Sequence, residues 1–143
     1  MTVRPVNICP ETGRITIEDA AIVSAFYQNR GAPGPSRETL PSHGFIAENK
    51  PGEPTACAFC YLDGTGSGVA MLAWIASDPA STNRIRGMAT RSAIEAAIIS
   101  AYSLNYWQIM ASFNTPSLIR ILKQRGFKAG DTKATHLHIT FTT

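Results

Sequence analysis

The sequence lacks the features of a membrane-spanning or secreted chain. It contains no run of roughly 18 or more apolar residues, the length that a membrane-spanning helix needs. Its first residues, MTVRPVNICPETGRI, have neither an apolar core nor a small-residue cleavage site of the kind found in secretory signals. We therefore expect a cytoplasmic protein. At 143 residues and 44% hydrophobic content, the chain is expected to form a single domain over residues 1–143 with its own core.

The chain also lacks a strong excess of charge of one sign. Thirteen Lys and Arg residues against ten Asp and Glu residues give a formal net charge of +3. This surplus is too small and too scattered for a nucleic-acid surface, so no nucleic-acid partner is expected. It is compatible with an ordinary mixed surface and with a site for a small anionic ligand.

Cysteine and histidine are scarce, with three residues of each. An odd number of cysteines implies no disulfide framework. Cys57 and Cys60 have the CxxC spacing, but no second pair is present, and their segment TACAFCYL is typical of a strand. Residues i and i+3 of a strand point to opposite faces, so we expect buried, unreactive thiols and no metal site.

The first half of the chain alternates one helix with several strands. A strand is predicted over 3–8, followed by a helix that Thr16 caps and that ends near Gly31, before the breaker GAPGPS. GFIAEN, TACAFCYL and VAMLAWIAS then predict three consecutive strands joined by turns, an antiparallel meander. VAMLAWIAS is nearly all apolar, so it is expected to be central and buried on both faces. DGTGSG before it is predicted to be a hairpin turn and not a nucleotide loop, because a strand follows it.

The second half is predicted to contain two helices and two strands. Apolar periodicity predicts a helix from Gly87 or Met88 to about Leu104, with Ile94, Ala97, Ile98, Ala101 and Tyr102 on its apolar face. YWQIMASF, residues 106–113, predicts a strand. A helix follows in which Thr115 is the cap, Pro116 the first residue and Gly126 the end. The alternation of THLHITF predicts a last strand over 135–141.

A short basic segment joins the fourth predicted strand to the next helix. The first N–H groups of a helix have no intrahelical acceptor and carry the positive end of the helix dipole. Arg84 and Arg86 can add charge-assisted hydrogen bonds to phosphate oxygens. Gly87 and the small Ala89 would let a ligand approach the backbone closely. This arrangement favours a phosphate-bearing ligand.

The segment Arg84-Ile85-Arg86-Gly87-Met88-Ala89 resembles the signature Q/R-x-x-G-x-G/A of the GNAT superfamily of N-acetyltransferases. Further similarities are the strand end at Ser77-Asp78-Pro79, the asparagine Asn114 after the next strand, and the Gly-Phe pair at Gly126. The resemblance covers nearly the whole chain in element order, but its motifs are confined to residues 74–127.

The resemblance implies an α/β (α+β) fold with a mixed, mostly antiparallel central sheet, flanking helices, and a splayed acyl-CoA cleft between the fourth and fifth strands. It implies an acyltransferase that moves acetyl from acetyl-CoA to a primary amine by direct attack, with no metal. The pyrophosphate would lie on the backbone of Ile85 to Thr90, and the pantetheine arm would pair with the main chain at Ile75 to Ser77. The cofactor-binding residues implied are Ile75, Ala76, Ser77, Arg84, Ile85, Arg86, Gly87, Met88, Ala89, Thr90, Asn114 and Ser117.

One departure from the family concerns the general acid. Many members have a tyrosine four residues before the Gly-Phe pair, where this chain has Leu122, or Ile121 when counted from Asn114. Ser117 or a bound water would then have to protonate the departing thiolate. Asp78 is the first candidate for the base. Glu48 and Tyr61 are the other candidates. Asp78 before Pro79 is also typical of a turn.

The acceptor is expected to lie against the first helix, the GAPGPS segment and the end of the last hairpin. The residues considered for its walls are Phe26, Tyr27, Arg30, Trp74 and Trp107, of which Phe26 and Trp107 also suit a core. Arg30 and Arg37 would favour an acceptor with a carboxylate or phosphate. Two alternatives to an enzyme stay open: a non-catalytic CoA-binding or protein-interaction module, and a fold that binds no CoA. A homodimer through edge strands also stays open.

Overall fold

The computed structural model describes residues 1–133, 135, 137 and 139–141. These residues form two compact units, Met1–Ser112 and Phe113–Thr143. Among the described residues no helix combines the length and the apolar character that crossing a membrane requires.

The first unit contains a five-stranded sheet and two helices. Its elements are β1 (Thr2–Pro5), α1 (Ile17–Gln28), a 3-10 turn (Arg37–Thr39), β2 (Gly44–Glu48), β3 (Pro54–Leu62), β4 (Val69–Ser77), α2 (Asn83–Ser103) and β5 (Gln108–Ala111). The strands follow one another in the order β1-β2-β3-β4-β5. The first four pair antiparallel, and β5 pairs parallel to β4 after the crossover through α2. The predicted mixed, mostly antiparallel sheet is confirmed.

The start of α1 is fixed to the edge of the sheet by a buried carboxylate. Thr16 caps the helix, because its hydroxyl accepts the Asp19 N–H at 3.3 Å. The Asp19 carboxylate, 2% exposed, accepts two bonds of 2.8 Å from the Arg4 guanidinium and one of 2.7 Å from the Asn7 N–H. Burial opposes ionisation of Asp19, but these hydrogen bonds outweigh it and hold the pKa of the carboxyl below its usual value.

One face of the sheet packs against α1 around a core of large apolar side chains. Phe26 of α1 contributes to this core, as predicted, and Phe59 and Ile46 of the sheet are fully buried in it. The close approach of β2 to β3 requires Gly44, since a Cβ there would lie 2.2 Å from the Phe59 ring. The α1 face is thus closely packed where β2 and β3 pair.

The opposite face packs against α2 through small residues. Ala89, Ala93, Ala97 and Ala101 recur every four residues, so they line one side of the helix, and all are fully buried. The prediction that Tyr102 belongs to this apolar face was wrong, because its side chain is 77% exposed. Alanines at the contact let the helix lie close to the sheet.

β4 is interior to the sheet, as its apolar sequence predicts, but it is not buried on both faces. Ala70 and Leu72 are buried, while Met71 between them is 47% exposed.

Cys57 and Cys60 on the neighbouring strand are both buried free thiols. Burial raises the pKa of Cys57 to about 12 and that of Cys60 to about 11, so both are unreactive, as predicted.

The segment between β3 and β4 is the predicted hairpin turn. The Asp63 N–H donates to the Val69 carbonyl at 3.1 Å, and the Asp63 carboxylate accepts three hydrogen bonds from Thr65 and Ser67. These hydrogen bonds lower the pKa of Asp63 to about 2, and the bond from the Ser67 hydroxyl has the largest effect. The Trp107 indole also donates to the Ser67 carbonyl, at 2.8 Å. Trp107 is 73% exposed, so it does not belong to the core.

The second unit contains the helix α3 (Pro116–Gln124). Pro116 is its first residue and Gly126 lies beyond its end in a left-handed conformation with φ of 97°, as predicted. Thr115 is at the cap position, but its side chain makes no capping hydrogen bond. The strand predicted over 135–141 includes His136 and His138, which lie outside the described residues; the described residues of that segment have no strand assignment.

Candidate functional site

The C-terminal part of β4 extends beyond its pairing with β5. The parallel register runs from Val69 opposite Gln108 to Leu72 opposite Ala111, where β5 ends. Residues 73–77 continue past this point and retain β3 as their partner on the other side. Along residues 73–77, the edge of β4 that faces away from β3 therefore has no strand of the first unit beside it.

A β-bulge lies at the start of this free edge. Ala73 pairs with Phe59 and Ala76 with Cys57, so Trp74 and Ile75 together oppose the single residue Ala58. Trp74 adopts φ of 50°, a left-handed conformation that a bulky side chain rarely takes. Such strain is concentrated at functional sites, and a bulge bends its strand away from regular pairing. No glycine or other residue type in VAMLAWIAS indicates this bulge.

The Trp74 side chain is anchored to the chain on the α1 face. Its indole N–H donates to the Tyr61 hydroxyl at 2.7 Å, and that hydroxyl donates to the Thr39 carbonyl at 2.6 Å. The Tyr27 ring contacts the Trp74 ring edge to face, with centroids 6.0 Å apart. Burial, followed by the proximity of Cys57, raises the pKa of Tyr27 well above its usual value. Of the predicted acceptor walls, the structure thus brings Tyr27 and Trp74 together.

Arg30 reaches the last residue of β4. Its guanidinium donates to the Ser77 carbonyl at 3.2 Å from Nε and at 2.8 Å from Nη2, and Nη2 also lies 2.7 Å from the Ser77 hydroxyl. Arg37, the other arginine considered for an anionic acceptor, instead donates to the Ile15 carbonyl at 2.8 Å. The structure therefore separates the two arginines, and only Arg30 contacts the end of β4.

The helix after β4 begins four residues before the earliest predicted start. It begins at Asn83, because the Thr82 hydroxyl accepts the Ile85 N–H at 3.3 Å and the Thr82 carbonyl accepts the Arg86 N–H at 2.9 Å. The predicted basic loop is therefore the first two turns of a helix. As the first two helical residues, Asn83 and Arg84 carry N–H groups without an intrahelical acceptor.

The glycine and the alanine of the basic segment have different surroundings. Ala89 and Thr90 are buried, and Ala89 belongs to the alanine contact of α2 with the sheet. A Cβ added at Gly87 would meet only the Arg91 side chain, at 3.9 Å. Helix interiors disfavour glycine relative to alanine by about 1 kcal/mol, and no packing contact requires one here. The absence of a side chain at Gly87 therefore leaves open space beside the helix backbone, which a ligand that contacts this backbone would need.

The four candidate acids and bases belong to four different elements of the chain. Asp78 follows β4, and its Oδ1 accepts the Ala80 N–H at 2.9 Å, which is the turn geometry that Asp-Pro predicts. Glu48 lies 3.8 Å from the Arg4 guanidinium at the edge of the sheet. The Tyr61 hydroxyl on β3 donates its proton to the Thr39 carbonyl. Ser117 lies in the first turn of α3, in the second unit together with Asn114.

Solved structures share this fold along most or all of the chain. A Thermus thermophilus protein, TTHA1254, is 20% identical with a TM-score of 0.66, and the match covers 100% of both chains. The ribosomal-protein-S18-alanine N-acetyltransferase of Escherichia coli is 17% identical with a TM-score of 0.66, covering 91% of this chain and 79% of the other. This chain has the fold of the GNAT acetyltransferases. The fold that the signature implies is confirmed.

One further GNAT-like structure contains the cofactor. The Mycobacterium tuberculosis protein Rv2747, solved in complex with CoA, is 16% identical with a TM-score of 0.67, and the match covers 94% of this chain and 76% of that one. No protein-family model and no curated protein sequence matches the chain. At sequence identities of 16–20%, the similarity to GNAT structures establishes the fold of this chain and not its substrate.

Proposed function

We propose that this chain is an acyl-CoA-dependent N-acyltransferase that moves acetyl from acetyl-CoA to a primary amine. The observation that carries the proposal is the bulged, β5-free end of β4, which leads within a few residues to the N–H groups of Asn83 and Arg84 at the start of α2. An extended pantetheine arm can pair with a strand edge, and a pyrophosphate can bind at a helix N-terminus. The free strand edge and the helix N-terminus follow one another closely along this chain, which supports a single CoA site across both.

The proposed cofactor contacts follow from the geometry of the first unit. The main chain of Ile75, Ala76 and Ser77 would pair with the pantetheine. The pyrophosphate would lie at the first turn of α2, held by the N–H groups of Asn83 and Arg84 and by the Arg84 guanidinium. Gly87, one turn further along the same helix face, supplies the clearance. Ile85, Arg86, Met88, Ala89 and Thr90 would then act mainly by forming the helix.

The proposed reaction needs positioning and two proton transfers. The amine nitrogen attacks the thioester carbonyl carbon, the C–S bond breaks, and the CoA thiolate leaves with a proton from an acid. Asp78 is the proposed base, since its Oδ2 has no hydrogen bond from the described residues and the carboxylate lies at the end of β4. A water is the proposed acid, and Ser117, the other acid expected from the sequence, belongs to the second unit. Of the two backbone N–H groups expected to stabilise the oxyanion, those of Ala76 and Ser77, the Ser77 N–H is the one proposed, because the main-chain groups of Ala76 face β3 as those of Asp78 do.

A non-catalytic CoA-binding module is the second candidate. It is favoured by the leucine and isoleucine at the usual position of the general-acid tyrosine. It is also favoured by Tyr61, whose hydroxyl is already engaged with Thr39 and Trp74. Binding without CoA release would support this candidate.

We expect acetyl-CoA to raise the thermal unfolding midpoint. At about one hundred times the dissociation constant, binding adds about 2.7 kcal/mol to the unfolding free energy. For a chain of this length the midpoint should rise by about 9 °C. Dephospho-CoA and ATP are the controls. CoA release with a panel of amines then separates an enzyme from a binding module, and no midpoint shift with millimolar acetyl-CoA would contradict both.

A further inference from the structure

Arg30 lies on the cleft side of β4. The Asp78 N–H donates to the Thr55 carbonyl on β3 at 2.8 Å, so the main-chain groups of Asp78 face β3. Successive residues of an antiparallel strand direct these groups to opposite sides. The Ser77 carbonyl therefore points away from β3, toward the side where β5 has already ended, and the Arg30 guanidinium meets it there.

The Arg30 guanidinium is held in place without being neutralised. Its hydrogen bonds go to a carbonyl and a hydroxyl of Ser77, both of them uncharged acceptors. No carboxylate of the described residues forms an ion pair with it, whereas Arg4 is paired with Asp19 and Glu48. Its Nη1 has no hydrogen-bond partner among the described residues. A fixed cation with free N–H groups is a preorganised site for an anion.

From this geometry we propose that Arg30 selects an acceptor amine that also carries a carboxylate, which the free Nη1 binds. The inference rests on the proposed acyl transfer, because the amine must approach the same end of β4. The cofactor phosphates have a separate cationic site at the first turn of α2. Tyr27 and Trp74 would form the apolar wall beside the acceptor chain.

The test compares amines that differ only in the charge of the distant group. Glycine, β-alanine and 4-aminobutyrate are each paired with the corresponding carboxamide, so that three amine-to-carboxylate distances are sampled. CoA release from acetyl-CoA is measured, and rates are expressed per concentration of unprotonated amine. With wild-type protein, at least one acid should have a kcat/KM roughly tenfold to a hundredfold above that of its amide, the range for a hydrogen bond to a charged group.

Variants test whether Arg30 is the cause of the preference for acids over amides. In Arg30→Gln the acid-to-amide ratio should fall to about one, and Arg30→Lys should keep part of it, while acetyl-CoA affinity stays unchanged. Arg37→Gln, which removes the same charge from a guanidinium bound to a carbonyl elsewhere, should keep the full ratio. Ser77→Ala removes the hydroxyl that contacts the Arg30 guanidinium but keeps the carbonyl. This variant should lower the acid-to-amide ratio without bringing it down to one.

Each alternative outcome contradicts a different claim. Equal rates for acids and amides in wild-type protein, or an unchanged ratio in Arg30→Gln, would overturn the role of Arg30 and leave the proposed function intact. Turnover of none of the acids by a protein that binds acetyl-CoA would also overturn it. A loss of acetyl-CoA affinity in Arg30→Gln would assign the guanidinium to the cofactor. Absence of acetyl-CoA binding in wild-type protein would instead remove the proposed function itself.

Discussion

We expect Gly87→Glu to bind acetyl-CoA at least a hundredfold more weakly than wild-type protein while remaining folded. Helical side chains tilt toward the N-terminus, so a glutamate at this position would place its carboxylate near the proposed pyrophosphate position. Two unit charges about 4 Å apart near a protein surface repel by about 4 kcal/mol, which is about a thousandfold in affinity. The fold should survive, because a Cβ here meets only the Arg91 side chain at 3.9 Å. Isothermal titration calorimetry measures the affinity, and circular dichroism the fold.

Two companion variants make this result specific. Gly87→Ala should raise the unfolding free energy by about 0.5–1 kcal/mol, because alanine is the better helix former, and should still weaken acetyl-CoA binding. Gly64→Glu adds the same charge in the β3–β4 turn, where a Cβ meets no atom within 4 Å, and should leave affinity unchanged. Unchanged affinity in Gly87→Glu would show that the cofactor does not bind at the start of α2.

The largest expected effect on stability comes from Asp19→Asn. The substitution removes the charge that pairs with Arg4 and leaves a partly buried guanidinium without its main partner. Breaking such a pair costs about 3 kcal/mol, at the lower end of the usual range because the Arg4 side chain is 29% exposed. The unfolding midpoint should fall by about 10 °C. Thermal and urea unfolding at neutral pH measure both quantities.

A matched control and the pH dependence test the same interaction. Glu48→Gln removes the more distant carboxylate, 3.8 Å from Arg4, and should cost less than about 1 kcal/mol. The lowered pKa of Asp19 means that its contribution is complete above about pH 4, the value expected for the unfolded chain, and is lost as the pH falls through the folded value. Asp19→Asn should lose this part of the acid dependence. Equal effects of the two substitutions would contradict the account of Asp19.

Local patterns were sufficient for most elements of the first unit. Short apolar segments bounded by turn residues predicted β2, β3, β4 and the hairpin, because these signals lie within a few residues of the element they define. The start of α2 was placed too late because Gly87 was read as part of a loop. Thr82 is the actual cap, and its role depends on a single hydroxyl–backbone contact that an apolar periodicity does not record.

The candidate site was only partly predictable from the sequence. The signature around Arg84 and Gly87 located the segment after β4, and the main chain at Ile75 to Ser77 was expected to lie there. The bulge at Trp74 was not predicted, because its cause is a register shift against β3 and not a residue type. The contact of Arg30 with Ser77 joins residues 47 positions apart, a distance at which no local pattern carries information.

The most direct test of the cofactor site is a titration of isotopically labelled protein with acetyl-CoA, followed by backbone amide NMR. The account predicts that the largest chemical-shift changes occur at two segments, residues 73–77 at the end of β4 and residues 83–87 at the start of α2. Amides of the hairpin at 63–68 should change little. Saturable shifts confined to the hairpin or to other surfaces, or no shifts at millimolar acetyl-CoA, would contradict the proposed site.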